Sequence, residues 1–87
     1  MQHDPVKTIA AELCAIVAAK AEELGALLAS IEQHVSDQHI HAQACEDFVE
    51  MERLDAAAPF DWIAQARMSL RSGLMFAERA VQQPTAF

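Results

Sequence analysis

Between Pro5 and Pro59 the chain holds one glycine and no proline, and all 87 residues contain only two glycines and three prolines. Tight turns draw on glycine and proline, so a sequence this poor in both has few ways to reverse direction and is expected to form long helices. Alanine, the strongest helix former, supplies much of the 53% apolar fraction while adding little core volume, and tyrosine is absent. The expected fold class is all-α. One domain spanning residues 1–87 is the limit for this length, and so modest a core makes self-association the default expectation.

The prolines divide the chain. Asp4-Pro5 is an N-cap followed by proline at the first helical position, which starts a helix expected over about residues 5–34. Ile9, Leu13, Ile16, Val17, Leu24, Leu27 and Ile31 fall within a narrow arc of it at about 100° per residue. Ser36-Asp37 resembles a second cap, and Ile40, Ala44, Phe48, Met51 and Leu54 recur at helical spacing, giving a more exposed helix over about 37–54. Ala56-Ala57-Ala58-Pro59 is a connector, because proline disfavours helix in the residue before it. A third helix follows over about 60–82 and stops before Pro84, with Ile63, Ala66, Leu70, Leu74, Ala77 and Val81 as its inner stripe. The reading is a long antiparallel hairpin of the first and third helices with an additional middle helix. Met68 and Met75 project almost opposite the inner stripe, with Trp62 and Phe76 to one side. A two-helix hairpin cannot cover both faces, so a homo-oligomer is expected.

Formal net charge is −7, which argues against duplex DNA or RNA as a partner, since duplex binding draws on a basic surface. The charge is uneven. Residues 1–61 carry net −9, whereas residues 62–87 carry net +2 from Arg67, Arg71 and Arg79 against Glu78. No apolar run approaches the roughly 20 residues that span a bilayer, and no leader opens the chain, so no membrane partner and a cytoplasmic location are expected. Cys14 and Cys45 are expected as free thiols.

Five features stand out against the helical background. Lys20 lies almost at the centre of the first helix's apolar arc, where it either pairs with a carboxylate such as Glu23 or aims an ammonium at an anionic ligand. Arg67 and Arg71, at i and i+4 beside the third helix's inner stripe, make a cationic edge that either pairs with acids of the other helices or clamps phosphate with help from the Ser69 and Ser72 hydroxyls. Trp62 is read as core or interface packing, or as a platform on which a nucleobase stacks. Gly73 weakens a helix interior by about 1 kcal/mol relative to Ala and suggests close approach of a second backbone, as does Gly25 in the first helix. His34, His39, His41 and Cys45 are a weak metal signal, more simply read as exposed side chains. No enzyme signature or cofactor motif is present, and the chain is read as non-enzymatic.

The stretch Trp62-Ile63-Ala64-Gln65-Ala66-Arg67, followed by Leu70, Gly73, Met75, Arg79-Ala80-Val81 and Gln83-Pro84-Thr85-Ala86-Phe87, resembles the helical-hairpin family of small phage proteins that sponge up the cyclic oligonucleotide signals of CBASS and Thoeris immunity. Lys20-Ala-Glu-Glu-Leu-Gly-Ala-Leu-Leu28 is similar to the family's first long helix. The resemblance implies a helical protomer, a hexameric assembly in the host bacterial cytoplasm, and capture of cyclic di- or trinucleotides between protomers without cleavage. On that reading Arg67 and Arg71 contact phosphates, Ser69 or Ser72 adds hydrogen bonds, Trp62 stacks on a base, and Lys20 neutralises charge in a second pocket. A helical interaction module without a small ligand is the competing reading.

Overall fold

A computed structural model describes residues 5–85; the expected cap at Asp4 and the last two residues of the family-like C-terminus lie outside that span. Three helices account for almost all of it, with no strand among the described residues: α1, Pro5–Ala44; α2, Phe48–Ala57; and α3, Pro59–Gln82. α1 is 40 residues long, about 60 Å at 1.5 Å per residue. α2 packs on its C-terminal end, and α3 runs back antiparallel along its middle, so that Arg67 of α3 bonds to Glu32 of α1.

The first helix does not stop near His34. Ser36 and Asp37 lie inside α1, where Gln33 Nε2 donates to Asp37 Oδ1 at 3.0 Å. A cap residue permits a helix to begin but does not break one, and with no glycine or proline nearby the packing of Val35 and Ala42, both buried, carries α1 onward. The working cap is Asp47. Its side chain accepts from the Glu50 backbone N–H at 3.1 Å and opens α2 after a turn in which Glu46 has φ 52°. α2 and α3 are separated by Ala58 in the left-handed conformation, φ 48° and ψ 53°, with Pro59 supplying the first residue of α3.

Among the described residues the buried ones are Leu28, Val35, Ala42, Leu54 and Ile63, a small core for a chain of this length. They correct the expected phase of α1. Its inward arc runs through Val17, Ala21, Leu24, Leu28, Val35 and Ala42, whereas Ile9, Leu13, Ile16, Leu27 and Ile31 are exposed. In α3 the expected stripe holds at Ile63, Ala66, Leu70, Leu74 and Val81, but Ala77 points outward and Glu78 is half-buried instead. Of the residues that recur at helical spacing in the expected middle helix, Ile40 and Phe48 are exposed.

The shape follows from these pairings. The Cα positions span 70 × 23 × 13 Å, and the radius of gyration is 19.9 Å. A compact domain of this length has a radius near 12 Å. The accessible surface is 7034 Å², against about 5,000 Å² expected for a compact chain of this mass. The molecule is one helix layer thick, with neither broad face covered.

Candidate functional site

The antiparallel contact of α1 and α3 leaves an open groove of about 350 Å³. Val17, Ala21, Leu24 and Leu28 line it from α1, and Leu70, Leu74 and Met75 from α3, so most of its wall is apolar. Arg67, Arg71 and Glu78 are its charged members. Arg67 and Arg71 reach it together because residues four apart differ by only about 40° around a helix. Gly25 also borders the groove, and nothing lies within 4 Å of where a side chain's first carbon would stand. The absence of a side chain there widens the groove.

The two arginines differ in their surroundings. Arg67 Nη1 donates to Glu32 Oε1, and both side chains are more than a third exposed, so this ion pair ties α1 to α3 with little net energy. Arg71 makes no hydrogen bond or ion pair among the described residues. A guanidinium has five donors in a fixed fork, so Arg71 is fully available and Arg67 partly so for a planar or phosphate anion at the groove mouth.

The other expected site residues are elsewhere. Ser69 and Ser72 lie roughly 100° to 160° around α3 from the two arginines and do not line the groove. Ser69 Oγ accepts from Gln65 Nε2 at 3.4 Å. Trp62 is exposed on the same outer side. It therefore packs in no core of the protomer. Lys20 Nζ bonds to Glu23 Oε2 at 3.1 Å on the exposed apolar stripe of α1, outside the groove.

The histidine-rich segment has a structural role that sequence spacing concealed. His39 stacks on Phe60 with ring centroids 5.4 Å apart, and its Nδ1 donates to the Val35 carbonyl at 2.9 Å, which pins the start of α3 to α1. His41 and Cys45 approach each other, Sγ to Nε2 3.7 Å, but no cluster of three metal-ligating side chains occurs among the described residues. Glu32 and Glu78 are the site residues that sequence reasoning missed. Their signal was available, because an acid four residues from Leu28 or Leu74 continues an inward row.

No helix among the described residues is long and apolar enough to cross a membrane. Compared with known proteins, the chain is 34% identical over 84 residues to Anti-CBASS protein 2 of Pseudomonas phage JBD67, an alignment covering 91% of this chain and 75% of that protein. No protein-family model matches the sequence. No solved structure matches it either.

Proposed function

The chain belongs to the family of Anti-CBASS protein 2, and from that membership together with the groove we propose that it captures cyclic di- or trinucleotides between protomers of a homo-oligomer and withholds them from host anti-phage signalling without cleaving them. The observation that carries the proposal is Arg71, a guanidinium with no partner among the described residues, beside Arg67 at the edge of an apolar groove. A cyclic oligonucleotide offers the complement: phosphodiester oxygens for the forks and flat bases for apolar and aromatic surfaces.

Several protomers are part of the proposal for a geometric reason. Arg67 and Arg71 lie on one side of α3, and Trp62, Ser69 and Ser72 on another, so all five contact one ligand only when different copies contribute them. The surface supports the same reading. Apolar residues are exposed on two separate faces, Ile9, Leu13, Ile16 and Leu27 on α1 and Trp62 and Phe76 on α3. A closed assembly larger than a dimer, such as a hexamer, needs two interfaces per protomer. Capture by preorganised charges in a rigid oligomer limits the ordering that binding requires.

The test is a thermal-shift and binding comparison across a panel of cyclic di- and trinucleotides, with the nucleotide recovered after heat denaturation. Stabilisation with intact recovery is expected. Arg67→Ala and Arg71→Ala should each weaken the preferred nucleotide by about 10- to 100-fold, the range for a lost charged hydrogen bond, with the oligomer's mass unchanged. Glu32→Gln removes the carboxylate that competes for Arg67 and should bind at least as tightly as wild type. If no nucleotide stabilises the protein, the interaction-module reading replaces this one; a chemically altered nucleotide would make the protein an enzyme.

A further inference from the structure

The exposed stripe of α1 has a pattern that the protomer does not use. Positions 9, 13, 16, 20, 23, 27 and 30 follow alternating steps of four and three, the spacing of a coiled-coil seam, a quarter turn from the arc that packs on α3. Leu13, Ile16, Leu27 and Ile31 on or beside this seam are 44%, 53%, 54% and 40% exposed. At its middle sit Lys20 and Glu23, bonded to each other and 62% and 66% exposed. An exposed pair of this kind adds little to a protomer's stability, which leaves the placement of two charges at the centre of an apolar seam unexplained by the protomer.

A second copy explains it. We propose that α1 pairs with α1 of another protomer in antiparallel orientation, about a two-fold axis passing between Ala21 and Glu22. That register sets Lys20 of each copy opposite Glu23 of the other, Ile16 opposite Leu27, and Leu13 beside Ile31. The charges select the orientation. In a parallel, in-register pair lysine would meet lysine and glutamate would meet glutamate, whereas reversal joins two lysines and two glutamates in one four-charge cluster flanked by apolar layers. The surface allows it as well: the protomer's 7034 Å² exceeds the compact expectation by roughly 2,000 Å², an area in the range of obligate interfaces. Lys20 is thereby assigned to setting the register of an interface.

The pairing rests on the self-association part of the proposed function and not on the nucleotide, so its test is run without nucleotide. Mass by light scattering and dissociation constant by sedimentation are compared for wild type, K20E, E23K and K20E/E23K, with helix content checked by circular dichroism. Each single swap should raise the dissociation constant by at least about tenfold, because like charges facing across an interface are strongly penalised. The double swap restores opposite charges and should restore the mass. In a C14S/C45S background, I16C/L27C should form a disulfide-linked dimer in air, while I16C or L27C alone should not, since identical seam positions would lie about 16 Å apart along the axis. A multimeric wild type whose mass ignores both single swaps overturns the seam alone. Cross-linking by the single-cysteine variants would overturn the antiparallel register, and a monomeric wild type would overturn self-association itself.

Discussion

At the scale of single residues, charge is placed by geometry more than by composition. Glu50 accepts from Arg53 Nε at 2.8 Å, and this hydrogen bond, followed by the arginine's positive charge, holds the Glu50 carboxyl below its ordinary value of 4.5. A carboxyl lowered by folding adds stability above its unfolded pKa and loses that contribution as pH falls through the folded one. Acidification below the ordinary value should therefore loosen α2, with the effect shrinking at high salt because the pair lies at the surface. A carboxyl-carbon NMR titration of Glu50 checks this, and Arg53→Gln should return the midpoint to the ordinary range. That Arg67 and Arg71 share one side of α3 was legible in the sequence, since i and i+4 neighbours meet on any helix. Their separation from Ser69, Ser72 and Trp62 follows from the same 100° per residue; which side of α3 borders the groove does not, because it depends on how the helix is rotated against α1.

At the scale of elements, the junctions carry the strain. Ala58 occupies the left-handed region, which costs an L-residue with a side chain roughly 1–2 kcal/mol, and it closes α2 by donating its N–H to the Leu54 carbonyl at 3.1 Å. Glycine is the usual residue at such a helix end. Ala58→Gly should stabilise the fold by about 0.5–1 kcal/mol after allowing for glycine's extra chain entropy, seen as a rise of a few degrees in Tm. No change, or a fall, would mean that the alanine side chain makes a packing contribution larger than the relief. The third helix was legible to within a residue because Pro59 and Pro84 bound it. The first was not: Ser36-Asp37 has cap chemistry, yet nothing there forbids continuation.

At the scale of the whole molecule, a layer 13 Å thick with few buried side chains predicts that folding is linked to the proposed self-association. When only the assembled state is well packed, dilution favours the unfolded chain by mass action. Tm should accordingly fall with each tenfold dilution of the protein, whereas a Tm independent of concentration would mean that the protomer is stable unaided. The helical state itself was determined by the sequence alone, because helix propensity and the absence of breakers act within a few residues of each position. Which stripe of α1 turns inward was decided only by the tertiary structure. α1 carries apolar residues around much of its circumference, and the arc that is buried is the one whose small and large side chains fit α3, with Glu32 placed to meet Arg67.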